Sequence, residues 1–224
     1  MPLSSLDIVF YYSDAASGPT NNTLSLGGTI SGTTITDALA NNIFDDVTGD
    51  ESSAGDTEYR GIYVKDTNAT YTMINTKFWI DGYLRSASVA DTISIASSTF
   101  KLGSNTMGLC TDESTAPNET AGSIICVVEN ATSGTLASNT IGFTSASLAT
   151  TFATSMGPTT LAAQSYFGIW LKRVVPAGAS AYSNRACTLK IQCETTASPY
   201  TVTVQKTYVI EFNGNKSSAI SVLQ

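Results

Sequence analysis

Apolar positions along this chain fall in short runs or alternate with polar ones, and no stretch holds the period of a long amphipathic helix. Residues 6–12 are β-branched and aromatic and read as a buried first strand. Residues 23–36 predict one or two short strands interrupted at Gly27-Gly28 and Gly32, and 36–40 predict a helical turn capped by Thr36 or Asp37. The clearest alternation comes next. Within 59–65, Ile62 and Val64 share one face while Tyr59, Gly61, Tyr63 and Lys65 share the other. Apolar groups on both faces place this strand inside a sheet, with one face in the core and one at a contact. Residues 71–80 predict its partner, and Asp66-Thr67-Asn68 supplies turn chemistry for a hairpin between them.

Further strands are expected at 91–96, 100–102, 123–129, 141–143, 166–175, 187–193, 200–205 and 207–212, with a short helix around 147–154. The last two strands form a C-terminal hairpin or interaction arm within 199–224, expected to pair elsewhere, on a neighbouring copy. Ten to twelve strands with turn signals every ~8–12 residues predict an all-β antiparallel sandwich, Ig-like or jelly-roll-like, with at most one or two short helices. No fixed-period repeat or Pro-rich linker divides the chain, so 1–224 is read as one domain.

Composition agrees with that class. Only 13% of residues are charged, about half the ~25% of an ordinary soluble domain. Ser, Thr, Asn and Gly supply the polarity instead, and they suit strands and turns better than helix interiors. The net charge of −7 is unevenly spread: the first base is Arg60, so residues 1–58 form a wholly acidic N-terminal portion. Without a clustered basic face, nucleic acid is not an expected partner. The N-terminus has no basic region and the apolar run at 8–12 is too short for a signal-peptide core or a bilayer span, so the expectation is synthesis in the cytoplasm with no membrane partner. Cys187 and Cys193 share one strand face, about 20 Å apart, beyond disulfide reach. Buried thiols are expected.

Candidate chemistry is sparse. With no histidine in the chain, Ser-His-Asp and Cys-His catalysis and the usual zinc sites are excluded. No nucleotide-binding loop appears, so no cofactor or small-molecule ligand is expected. The carboxylate pairs Asp45/Asp46 and Asp50/Glu51 are the remaining catalytic option, but without a convergent pocket no catalytic residue is expected. Asp45, Asp46, Asp50, Glu51 and Asp56 are dense enough to suggest calcium, although their spacing does not follow an EF-hand. The alternative is that these acids face solvent or a basic partner. Candidate partner-binding residues are Asp50, Glu51, Asp56, Glu58, Arg60, Trp170, Lys172 and Arg173, since interfaces favour aromatic residues and arginine.

Two segments carry a resemblance. Phe44-Asp45-Asp46-Val47-Thr48-Gly49-Asp50-Glu51 with Gly55-Asp56-Thr57-Glu58-Tyr59-Arg60-Gly61-Ile62-Tyr63-Val64-Lys65 is one. Gly168-Ile169-Trp170-Leu171-Lys172-Arg173-Val174-Val175-Pro176-Ala177-Gly178-Ala179 is the other. Both resemble patterns of tailed-bacteriophage virion proteins of the Ig-like β-sandwich kind. The resemblance implies a structural virion protein, foremost a capsid decoration (cement) protein on the head surface, and it brings no catalytic residue with it. Its implied partners are the major capsid protein and further copies of itself, a homo-oligomer for which a trimer is the count considered. A tail, baseplate or fibre-attachment subunit is the alternative. A carbohydrate-binding adhesion module using Trp79, Trp170 and exposed tyrosines is a third.

Overall fold

The computed structural model describes residues 3–14, 21–83, 92–98, 107–117, 144–145, 160–179, 185–195 and 202–212. Eleven strands lie among them: β1 Ile8–Asp14, β2 Gly27–Thr34, β3 Asp56–Asp66, β4 Met73–Tyr83, β5 Thr92–Ser97, β6 Met107–Leu109, β7 Thr144–Ser145, β8 Thr160–Leu161, β9 Tyr166–Val175, β10 Arg185–Thr195 and β11 Val202–Phe212. They form a seven-stranded sheet in the order β6-β2-β1-β3-β9-β5-β7 and a four-stranded sheet in the order β11-β10-β4-β8. Every pairing is antiparallel. The all-β antiparallel expectation holds.

Alternation decides what each face of the central ladder buries. Ile62 and Val64 of β3 join Phe167, Ile169 and Leu171 of β9 and Ile93 and Ile95 of β5 in the main core. The four-stranded sheet meets them with Met73, Phe78, Cys187, Leu189, Ile191 and Cys193, and the Phe78 and Phe167 rings stack with centroids 5.8 Å apart. Each such fully buried side chain contributes roughly 1.5–3 kcal/mol. Cys110, Cys187 and Cys193 are buried thiols in no disulfide, as expected, Cys187 and Cys193 from their shared strand face.

The opposite face of the ladder is buried as well. Tyr59, Tyr63 and Trp170 pack there with Met107 and Cys110, under the turn into β2 and strand β6. The Tyr63 hydroxyl donates to the Gly28 carbonyl and accepts from the Met107 amide. Gly27 makes this closure possible: its φ is +98°, and a Cβ there would lie 1.9 Å from the Gly108 oxygen and 2.8 Å from the Trp170 ring. The second face, expected at a contact, is thus covered from within the chain.

Four expectations need correction. First, β3 and β4 are not a hairpin, because they belong to different sheets and 67–72 crosses between them. The Asp66 and Asn68 side chains accept from amides ahead of them, and the Thr67 amide donates to the Asp7 carbonyl, which turns the chain out of the first sheet. Second, 36–40 is a turn with Ala38 at φ +56°, not a helical turn. Among the described residues an α-helix, α1, forms instead at Gly49–Ala54, inside the acidic segment. A capping box sets its start: the Thr48 hydroxyl accepts from the Glu51 amide at 3.3 Å, and the Glu51 carboxylate accepts from the Thr48 amide at 2.6 Å.

Third, residues 200–205 and 207–212 are not a hairpin. Their described part, Val202–Phe212, is one continuous strand, β11, which pairs with β10 of the same chain from Arg185↔Phe212 to Thr195↔Val202. Gln205-Lys206-Thr207 contains no turn residue to break it. Fourth, the first strand starts later than 6, because Ser5–Asp7 is a 3-10 turn in which the Asp7 carboxylate accepts from the Ser4 amide. The expected elements at 100–102, 123–129, 141–143 and 147–154 lie outside the described residues.

Candidate functional site

The inner face of β3 continues past Ile62 to Arg60 and Glu58, so a strand that buries Ile62 and Val64 must also carry two charged groups inward. On β9 the same parity brings Arg173 in beside Leu171. Arg60 and Arg173 are both fully buried, and Glu58 is 4% exposed. Burying single charges would be prohibitive, and the structure answers by bringing them together. In the β3–β9 ladder Glu58 stands opposite Arg173, and Arg173 Nη1 lies 3.3 Å from Glu58 Oε2.

Two loops complete the cluster. The loop before α1 contributes Asp45 and Phe44, and the turn after β6 contributes Glu113. Arg60 Nη2 lies 3.1 Å from Asp45 Oδ1, 3.4 Å from Glu58 Oε1 and 2.5 Å from Glu113 Oε2, and Nη1 donates to the Tyr59 carbonyl. Arg173 Nη1 also donates to the Asp45 carbonyl at 3.0 Å. The Phe44 ring serves both cations, its centroid 5.9 Å from the Arg60 guanidinium carbon and 6.0 Å from that of Arg173. The Tyr59 amide donates to the Glu113 carbonyl at 2.7 Å and locks the turn to the strand. Burial pushes the Glu58 carboxyl up to about 8; Arg173 and Arg60 oppose that shift, and the neighbouring Asp45 carboxylate reinforces it.

This arrangement does not fit a calcium site. Carboxylate oxygens of Asp45, Glu58 and Glu113 do lie within 4.8 Å of one another. Nη2 of Arg60 contacts all three, so a guanidinium already supplies the positive charge a metal would bring. Of the five acids suggested for calcium, only Asp45 belongs to this group. Asp46 accepts from the Asn41 amide nitrogen, Glu51 caps α1, Asp50 is exposed, and Asp56 opens β3 opposite Val175.

The partner-binding candidates divide in two. Trp170, Arg60, Arg173 and Glu58 are closed inside this chain and present nothing to a partner, which corrects the expectation for all four. Trp170 packs under Gly27 and Gly61, so it is also withdrawn as a glycan-stacking platform. Asp50 is exposed, and Glu51, Asp56 and Lys172 are half-buried, with Lys172 Nζ 5.7 Å from the Tyr59 ring centroid. Phe44 and Glu113 were missed as parts of the cluster. The inward turn of Glu58 and Arg60 was legible, because both share parity with Ile62 and Val64.

A shallow depression of about 500 Å³ lies elsewhere, lined by Leu3, Leu6, Asp7, Thr67, Asn68 and Thr70 among others. It brings no acid–base pair to a common point. No protein-family model matches the sequence, and no curated protein matches it. Among solved structures, the N-terminal domain of PorA aligns with a TM-score of 0.32 and 10% identity over 92% of this chain and 96% of that one. AvmM, which catalyses macrocyclization in alchivemycin A biosynthesis, aligns at 0.34 and 8% over 89% and 97%. A mutant of CfaE, an enterotoxigenic E. coli adhesin, aligns at 0.31 and 10% over 95% of this chain and 49% of that one. Likenesses this distant carry no functional argument.

Proposed function

We propose that this chain is a structural protein of a tailed-bacteriophage virion, a decoration (cement) protein bound to the head shell and holding contacts between capsid subunits. One observation carries the reading. The two segments that resemble such proteins, 44–65 and 168–179, lie far apart in sequence and meet as one unit. β3 and β9 pair from Asp56↔Val175 to Lys65↔Tyr166, and both segments supply the buried charges. The turn after β9 is bound as well: the Gly178 amide donates to the Ser52 carbonyl, and the Ser52 hydroxyl donates to the Ala179 carbonyl. A pattern whose distant halves build one structural unit describes a scaffold, and its charges are spent on internal pairing.

The docking face in this reading is the acidic shoulder at α1 and the start of β3, where Asp50 and Asp56 reach solvent. Its partner is a basic surface of the major capsid protein, with further copies of this chain as lateral neighbours. Reconstruction of purified virions tests the assignment. Density for this chain over the head at hundreds of copies supports it. Density confined to the tail moves the chain to the tail or baseplate reading, and absence from particles rejects both. Within the head reading, Asp50→Lys with Asp56→Lys is expected to weaken binding to empty capsids at least about tenfold; unchanged cosedimentation removes the shoulder as the docking face.

A further inference from the structure

Among the described residues, the charges of the buried cluster do not balance. Two guanidiniums, Arg60 and Arg173, stand among three carboxylates, Asp45, Glu58 and Glu113. Glu58 lies deepest, with its side chain 6% exposed, whereas the side chains of Asp45 and Glu113 are each 39% exposed. A third negative charge in so closed a space is expensive unless a proton or a cation offsets it, and Arg60 Nη2 already fills the position between the three acids. We propose that this cluster is a proton-dependent latch: a proton held by Glu58 and shared toward Asp45 fastens the loop before α1 and the turn after β6 onto β3 and β9. Its loss at alkaline pH loosens both loops.

Among the described residues, every charged group facing Glu58 takes part. Arg60 comes from its own strand, Arg173 from β9, Asp45 from the loop before α1, and Glu113 from the turn after β6. Lys172 and Tyr59 lie on the outer face of the ladder, and Asp112 is turned toward Ser114 and Thr115. With the proton in place the cluster is neutral; without it, one negative charge is uncompensated. The Asp45 carboxylate and the Glu113 turn are the least buried parts, so they yield first. The released elements are 44–48 and 110–115, held at present by Arg173 Nη1 on the Asp45 carbonyl and by the Tyr59 amide on the Glu113 carbonyl.

The direction of the pH dependence follows from the raised carboxyl. Glu58 ordinarily titrates near 4.5, and in the folded chain near 8. Between those values the folded chain holds a proton that the unfolded chain has released. The stabilisation is therefore complete below about 4.5 and lost as pH rises through 8. Thermal unfolding from pH 6 to pH 9 is the test. The wild-type midpoint is expected to fall by about 5–10 °C over that range. Glu58→Gln, which mimics the protonated acid, is expected to flatten the fall. Glu113→Gln equalises the charges at a more exposed position and should flatten it too, so the test survives if Glu58→Gln does not fold. Hydrogen exchange of the Tyr59 amide gives the local readout: it is expected to lose at least about tenfold of its protection above pH 8 in the wild type and to keep it in Glu113→Gln. A wild-type midpoint flat to pH 9, or a Glu113→Gln variant that falls as steeply as the wild type, overturns the latch.

Discussion

β3 carries a buried acid at each end of the same inward face, and the two ends solve the same problem differently. At one end Glu58 is met by Arg60, Arg173 and two further carboxylates drawn from loops. At the other, Asp66 is fully buried and has no cation beside it among the described residues. Its Oδ1 accepts from the Asn68 amide at 2.8 Å, and its Oδ2 has no partner among the described residues. Burial pushes Asp66 up to about 6, opposed by the Asn68 amide and reinforced by Asp7. The same carboxylate adds to the burial that pushes the Cys193 thiol up to about 12, which leaves that sulfur inert. One acid organises a network that fastens three parts of the chain; the other shapes a single turn. Burial alone does not tell which role an acid has. Its partners do.

Removing the cation at the networked end has the largest expected effect. Arg60→Met keeps volume but leaves Asp45, Glu58 and Glu113 facing each other with Arg173 as the one remaining cation of the cluster among the described residues. Taking one partner from a buried ionic group costs about 3–5 kcal/mol, read as a lower urea midpoint at pH 7. A loss below about 1 kcal/mol sinks the idea that this end is held by charge pairing. The variant would then show that Phe44, Ile62 and their neighbours suffice.

At the solitary end the expected effect has the opposite sign. Asp66 titrates near 3.8 in an unfolded chain and near 6 here, so its stabilising proton is present below about 3.8 and lost as pH rises through 6. Above that the folded chain carries an uncompensated buried carboxylate. Asp66→Asn keeps the side-chain oxygen that accepts from the Asn68 amide, removes the charge, and is expected to raise stability at pH 8 by about 1–3 kcal/mol. Urea midpoints for both proteins at pH 4 and pH 8 check it. If the variant is the weaker protein at pH 8, the Asp66 carboxylate has a charged partner, and the contrast between the two ends collapses.

The sequence made one of these ends partly legible. Parity puts Glu58 and Arg60 on the face of Ile62 and Val64, and Arg173 on that of Leu171, although the reading did not extend the rule to these charged residues. Charged identity pulled the reading the other way, toward an outward docking face, because a buried charge needs partners and those partners are remote. Glu113 lies in a turn, Phe44 precedes α1, and no local pattern ties either to β3. The Thr48-Gly49-Asp50-Glu51 pattern carries a capping box that marks a helix start, and the sequence reading passed over it. Asp66 was read as turn chemistry, correctly for its Oδ1 contact. The turn led to the wrong element, because Asp-Thr-Asn permits a hairpin and a crossover alike, and only the packing of β4 into the second sheet decides.

Loosening the networked end from outside has the smallest expected effect. Thr48→Ala removes the hydroxyl that accepts from the Glu51 amide at the start of α1. Lost N-caps cost about 1 kcal/mol, or about 2–4 °C in a chain of this size. The helix also binds the turn after β9 through Ser52, so fraying there reaches the second half of the structural unit without touching an arginine. Exchange at the Glu51 amide is expected to rise, while the Tyr59 amide, held to Glu113 from the other side, stays protected. Asp50→Asn on the exposed face of the same helix serves as the control, within about 0.5 kcal/mol of wild type. If Thr48→Ala exposes the Tyr59 amide as well, α1 and the charged cluster open as one unit. The networked end would then rest on its helix as much as on its ion pairs.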